Sequence, residues 1–237
     1  MTDRKYLDLF IDFDDTIYDT HGNADIALSE VFEHFQLGRY FSELKDFTEP
    51  YWCENLKLWS QYSKGEITRD YLIVERFRRP LSIGMGDGVT KDFCLEVSDW
   101  FLECCADKPG VLDGAYDLLD YLKDKGYRMH MASNGFHEVQ YRKLKASDTL
   151  RYFDNIILSE DAGANKPSQA YFDYAFKVSG AKPETSLMIG DNFQSDILGA
   201  KAAGMDVIFF NQHPNLFCAT EPVTYEVNHL REIKYIL

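Results

Sequence analysis

Apolar positions follow two rhythms along the 237 residues of the chain. Short runs at 6–11 (YLDLFI), 127–132 (YRMHMA), 155–158 (NIIL), 186–189 (SLMI) and 207–210 (VIFF) place apolar side chains at successive positions with little alternation. That is the pattern of strands buried on both faces. Between them the period lengthens: Ala115, Leu118, Leu119 and Leu122 fall at i, i+3, i+4 and i+7 before Gly126, and Tyr171, Tyr174, Ala175 and Val178 before Gly180. Each set marks one face of a helix closed by glycine. Strands alternating with helices predict an α/β fold, a Rossmann-like parallel sheet covered on both sides.

The stretch after the first run reads differently. Ala24, Leu28, Val31, Phe32 and Phe35 mark one helix, Leu56 and Trp59 a second, Tyr71 and Leu72 open a third, and Val89, Phe93, Val97, Trp100, Phe101 and Cys104 mark a fourth. No strand pattern interrupts them. The chain is therefore expected to form a discontinuous α/β core from 1–17 and 105–237, with an all-helical cap domain at 18–104 inserted after the first strand. Pro109 and Gly110 suit the return crossing.

Charge narrows the choice of partners. With 25 basic against 39 acidic side chains the formal net charge is -14, and no basic stripe offsets it. A DNA or RNA polymer would be repelled by such a surface. A small anionic substrate remains compatible if a metal ion reverses the field locally. The five cysteines, Cys53, Cys94, Cys104, Cys105 and Cys218, match neither a disulfide framework nor a zinc spacing, which points to reduced thiols and a cytoplasmic location. The first residues, MTDRKYLDLFIDFDD, lack the apolar core of a signal peptide, and no run reaches membrane-spanning length, so a soluble, unprocessed protein without a membrane partner is expected, as a monomer or small homo-oligomer.

In an open parallel sheet, ligands gather beyond the carboxyl ends of the strands. Asp12, Asp14 and Asp15 follow the first run, Ser133 and Asn134 the second, and Asp191 the fourth, while the third leads through SEDAGANKP to Lys166. Any one of these is an ordinary turn or cap residue. Together they bring several carboxylates to one rim, where mutual repulsion calls for a positive partner. Magnesium suits, being a hard cation held by one or two carboxylates and substrate phosphate. Attack on a phosphate monoester needs a nucleophile, an acid for the leaving oxygen and charge neutralisation. Asp12 can be the nucleophile, and Asp14, its pKa raised by neighbouring carboxylates, the acid. Lys166 can balance charge. Ser133 and Asn134 can meet phosphate oxygens, with Gly135 allowing a sharp turn. Asp191 is a further metal ligand, and Asp196 a supporting group that orients water or pairs with Lys166.

These motifs, DFDDT at 12–16, SNG at 133–135, KP at 166–167 and GDNFQSD at 190–196, resemble those of the haloacid dehalogenase-like hydrolase superfamily in order and spacing. The resemblance implies that Asp12 is nucleophile and magnesium ligand, and that Asp14 is general acid, then base, binding magnesium through its carbonyl. It implies that Asp191 completes the protein ligands, that Thr16 and Ser133 contact the nucleophile region or phosphate, that Lys166 balances charge, and that the helical insert is a type I cap. The segments EPYW, SKGEITRDYL and ERFRRPL, with the long stretches around SNG and GDNFQSD, are closest to the pyrimidine-nucleotide 5′-phosphatase group. That likeness implies a magnesium-dependent phosphatase of nucleoside monophosphates. A sugar-phosphate phosphatase, a phosphoglucomutase-like transferase and a non-catalytic phosphate-binding regulator stay open. A haloacid dehalogenase fits less well, since those enzymes lack an aspartate at the position of Asp14.

Overall fold

Strand β1 (Asp8–Ile11) lies inside a six-stranded sheet in the computed structural model of the chain, which describes residues 4–237. Residues 1–3, part of the N-terminal stretch considered above for a leader, lie outside the described residues. On one side of β1 comes β2 (Arg128–Ser133) and then β3 (Asn155–Leu158); on the other come β4 (Ser186–Gly190), β5 (Asp206–Phe210) and β6 (Tyr225–Val227). Every pairing is parallel. Asp8–Ile11 aligns with Arg128–Met131 on one edge and with Ser186–Ile189 on the other. The three strand tips that carry Asp12, Ser133 and Asp191 are therefore neighbours.

Continuous apolar runs form these strands because both faces are covered. Leu9 and Ile11 join Met129, Met131, Leu187, Ile189, Ile208 and Phe210 in one core. Phe10 joins Met188, Val207, Phe209 and Ala132 in the core on the opposite face. Helices α5 (Ala115–Asp124), α6 (His137–Ala146), α7 (Ser159–Ala162), α8 (Gln169–Ser179) and α9 (Gly199–Ala202) lie in the connections between successive strands, α7 and α8 together between β3 and β4. The fold is the α/β, Rossmann-like parallel sheet expected from the patterning. The sequence reading missed β6, a three-residue strand at the sheet edge in which only Val227 is fully buried, so it carries no apolar run.

The chain divides into two compact units, 1–20 with 109–237, and 21–108. The second is built from α1 (Thr20–His34), whose first residue belongs to the sheet unit, and from α2 (Lys45–Ser63), α3 (Arg69–Met85) and α4 (Lys91–Ala106). The Thr68 and Thr90 hydroxyls cap α3 and α4 by accepting from the Tyr71 and Phe93 amides. Leu28, Val31, Phe47, Tyr51, Phe77 and Phe101 are among the residues that fill its core. In α2 the buried stripe runs through Phe47, Tyr51 and Leu58, not through Leu56, which is 67% exposed. Leu56 and Trp59 share helical spacing, but the stripe of Phe47, Tyr51 and Leu58 takes the interior. Of the adjacent cysteines, Cys105 is buried and Cys104 only half-buried, as one helix face dictates.

Replacing Phe47 by Ala is expected to cost about 3–5 kcal/mol in chemical denaturation, and Leu56 by Ala less than about 0.5 kcal/mol. Equal losses would show that the helical core is packed on the other stripe.

Candidate active site

The backbone after β1 turns back on itself: the Phe13 carbonyl accepts from the amides of Ile17 and Tyr18 at 3.0 and 2.8 Å, and Asp15 takes a left-handed φ of 57°. Aspartate tolerates that region better than most residues. The turn holds Asp12, Asp14 and Thr16 at the rim. Thr16 is fully buried and ties this loop to the one after β4, its Oγ1 accepting from the Asp191 amide at 3.1 Å and donating to Asp191 Oδ1 at 3.3 Å.

Lys166 lies at the middle of the acidic group with 1% of its surface exposed. Its Nζ donates to Asp12 Oδ1 at 2.7 Å and to the Ala132 carbonyl at 2.6 Å, and pairs with Asp196 Oδ1 at 2.7 Å. Three donors meet three acceptors, so the ammonium is completely satisfied. Burial opposes its charge, yet the Asp12 and Asp196 carboxylates outweigh burial and raise its pKa. Two close approaches permit this placement. A Cβ on Gly190 would stand 2.5 Å from Asp196 Oδ2, and one on Gly199 would stand 2.8 Å from the Cα of Pro167. Asn134 grips the main chain of Lys166 from both sides, its Nδ2 donating to the carbonyl at 2.9 Å and its Oδ1 accepting from the amide at 2.8 Å.

Carboxylate oxygens of Asp12, Asp191 and Asp196 lie within 4.8 Å of one another. Burial, then the Asp196 and Asp14 charges, push the Asp12 carboxyl up to about 8 despite Lys166. Burial and the Asp12 and Asp196 charges hold Asp191 well above the ordinary carboxylate range. One lysine does not neutralise such a cluster, and its hard oxygen donors fit a divalent cation such as magnesium.

Asp14 departs from expectation. Burial would raise its pKa, but Lys143, with help from Thr20 and Gln140, outweighs burial and lowers it. Asp14 Oδ1 accepts from Lys143 Nζ at 2.5 Å and from Thr20 Oγ1 at 2.8 Å, and Oδ2 accepts from Gln140 Nε2. The side chain thus has a donor set of its own, separate from the carboxylates grouped around Lys166.

A family model described as haloacid dehalogenase-like hydrolase matches residues 9–204, a span that contains every candidate residue from Asp12 to Asp196. The chain belongs to the haloacid dehalogenase-like hydrolases. It is 29% identical over 240 residues to YfnB of Bacillus subtilis (strain 168), a protein named as a HAD-hydrolase, covering 99% of this chain and 96% of that one. It is 28% identical over 229 residues to the pyrimidine 5′-nucleotidase PynA of Streptococcus pneumoniae, covering 96% and 93%, and 28% identical over 234 residues to the pyrimidine 5′-nucleotidase YjjG of Escherichia coli, covering 97% and 96%. A crystal structure of YfnB bound to magnesium, described as revealing interdomain movement, superposes with a TM-score of 0.86 over 98% of this chain and 99% of that one. No helix among the described residues is long and apolar enough to cross a membrane.

Within this hydrolase of the haloacid dehalogenase-like family, Lys143, Gln140 and Thr20 went unnoticed in the sequence. A signal was there. The buried positions of α6 are Val139, Gln140, Lys143 and Leu144, so two polar residues interrupt one apolar stripe. A polar side chain on a buried helix face needs a buried partner. That partner, Asp14, lies 129 residues from Lys143 and 126 from Gln140, and helical periodicity does not reveal it.

Lys166→Met is expected to lower stability by about 3–5 kcal/mol in urea unfolding, because it leaves two buried carboxylates without their cation. A loss below about 1 kcal/mol, the value of an exposed pair, would contradict the burial described here.

Proposed function

We propose that the protein is a magnesium-dependent phosphomonoester hydrolase that works through an aspartyl-phosphate on Asp12. We infer that its substrates are small phosphate esters, with pyrimidine nucleoside monophosphates as the preferred class. The observation that carries the reading is the buried Lys166 ammonium shared by Asp12 and Asp196 beside Asp191, with Asp14 held apart by its own donors two residues beyond Asp12. The pyrimidine 5′-nucleotidases among its relatives support the substrate class.

In the first step Asp12 attacks phosphorus, the bond to the leaving oxygen breaks, and Asp14 gives that oxygen a proton. In the second, water attacks phosphorus, Asp14 takes a proton from it, the bond to Asp12 breaks, and inorganic phosphate leaves. The ionised Asp14 favoured by Lys143 is the form that the second step needs. A phosphate dianion brought beside Asp14 adds negative charge and raises its proton affinity for the first step. Lys166 keeps the Asp12 carboxylate oriented, and the Ser133 hydroxyl meets a phosphate oxygen. Because the Asn134 side chain is engaged with Lys166, any contact of Asn134 with phosphate falls to its main-chain amide. Thr16 acts by holding Asp191 in place. Asp12, Asp191 and the Asp14 carbonyl would hold the magnesium ion, with Asp196 in support; when bound, the ion supplies neutralisation of phosphate charge. The family resemblance supports a role for the helical unit in the choice of base and sugar.

Steady-state assays with magnesium are expected to release inorganic phosphate, with the highest kcat/KM for pyrimidine nucleoside 5′-monophosphates among nucleotides, sugar phosphates and other phosphorylated metabolites. Interconversion of glucose phosphates without phosphate release would point to a mutase instead. Asp12→Asn should reduce turnover by at least about 10³-fold. Asp14→Asn should cut alkyl phosphate cleavage by about 10²–10⁴-fold and that of an aryl ester with a good leaving group by less. Equal losses on the two esters would remove the acid role.

Protons on Asp12 and Asp191 compete with the cation, so magnesium affinity should rise as pH increases toward about 8, where Asp12 ionises. Metal-free stability runs the other way: a carboxyl with a raised folded pKa stabilises the metal-free protein at low pH, and that contribution is lost as pH rises through about 8. The gain in Tm on adding magnesium should therefore be larger at pH 8 than at pH 6, and calorimetry should record proton release on binding. A pH-independent gain would rule out Asp12 and Asp191 as the ligands.

A further inference from the structure

Gln140 is 1% exposed, and its Nε2 donates both to Asp14 Oδ2 and to Ser133 Oγ, the latter at 3.0 Å. A charged carboxylate on one side requires that the nitrogen, not the oxygen, of the amide point this way. Ser133 Oγ also accepts from the Gly135 amide at 3.0 Å. Two accepted bonds fill both lone pairs of the hydroxyl, so its remaining capacity is to donate. A phosphate oxygen is the acceptor that this polarity selects.

The same accounting applies to Asp14. Lys143 Nζ and Thr20 Oγ1 occupy Oδ1, and Gln140 occupies one of two positions on Oδ2. One acceptor position remains, on the oxygen that shares the Gln140 nitrogen with Ser133. Lys143 is itself 8% exposed, with Nζ 4.9 Å from the centroid of the Tyr18 ring, so its end of the clamp is also fixed by packing. Gly135 is what makes room: a Cβ there would stand 1.8 Å from Gln140 Nε2. Its φ is not among the left-handed values of the chain, so space rather than turn conformation calls for glycine at this place in SNG. The Gln140 Oε1 atom is buried without a hydrogen-bond partner. An orphaned acceptor costs stability, which is tolerated where the other end of the group must be held in place.

We propose that Gln140, assisted by Lys143, is a positioning residue that fixes the Asp14 carboxylate and the Ser133 hydroxyl relative to each other, setting proton transfer and phosphate binding through one amide nitrogen. The inference rests on the phosphatase reading above and extends it to two residues of α6.

The test compares wild type with Gln140→Leu, measuring kcat/KM on p-nitrophenyl phosphate and on the best alkyl phosphate, and the inhibition constant of inorganic phosphate. Loss of the Ser133 bond should raise that constant about 3–10-fold, and aryl kcat/KM should fall by no more than the same factor. Alkyl kcat/KM should fall by a further 10-fold or so, because only that ester needs a well-aimed acid. Gly135→Ala should reproduce the pattern by displacing the amide. Gln140→Glu, which keeps the shape but sets an oxygen against Asp14, should show the same split and stands in if circular dichroism shows Gln140→Leu unfolded. Wild-type constants in a folded Gln140 variant, or equal losses on both esters with unchanged phosphate inhibition, overturn the proposal. An inactive wild type overturns the phosphatase reading and this inference with it; an active wild type with an unsplit variant overturns this inference alone.

Discussion

The buried ammonium of Lys166 is the constraint on which the candidate site depends. Charges taken from water cost several kcal/mol each unless partners replace the lost solvation. Here an Asp12 oxygen, an Asp196 oxygen and the Ala132 carbonyl supply three acceptors, one for each proton. Each partner comes from a different part of the chain: the tip of β1, the helical segment Phe193–Leu198 that follows β4, and β2 itself. One side chain therefore ties together three separate segments of the sheet unit. The surrounding residues serve that placement: Asn134 holds the Lys166 main chain, Gly199 admits the loop, and Gly190 admits Asp196.

Sheet topology makes such convergence possible. Strands β2 and β4 flank β1, so chain segments more than fifty residues apart in sequence end side by side at the point where the strand order reverses. Burial on both faces keeps those ends rigid, with Leu9 and Ile11 in one core and Phe10 in the other. The cost is buried and concentrated negative charge: burial first, then the neighbouring carboxylates, raise the pKa values of Asp12 and Asp191. Two lysines divide the work of relieving it: Lys166 serves Asp12 and Asp196, whereas Lys143 serves Asp14 alone. Two residues apart, Asp12 and Asp14 thereby acquire opposite shifts. A bound cation would draw Asp12 toward its ionised form and a phosphate beside Asp14 would draw that carboxyl toward its protonated one, so the first step needs both shifts to be reversed.

Local sequence captured what depends on local physics. Strands covered on both faces announce themselves as apolar runs, and five of six were legible; β6 was not, since a three-residue edge strand buries too little to leave a mark. The helices of the insert were legible as well, but the choice of stripe in α2 was not, because Leu56 and Phe47 are equally apolar and only packing ranks them. Asp12 and Asp191 stood out by residue type at strand ends, and Lys166 by its place in the stretch that follows the third apolar run. The surroundings of Asp14 did not: neighbouring carboxylates in sequence suggested a raised pKa, and a lysine from a helix more than a hundred residues later reverses it.

The sequence by itself determined the α/β class, the helical insert, and the collection of acidic, hydroxyl and lysine side chains at the carboxyl rim, because periodicity and chain order are properties of neighbours. Tertiary structure alone decided which carboxylate faces which lysine, why Gly135 must be glycine, and how Gln140 comes to lie between Asp14 and Ser133. Those outcomes rest on distances of a few ångströms between residues far apart along the chain, and on burial, which strengthens each charge according to what lies beside it in space.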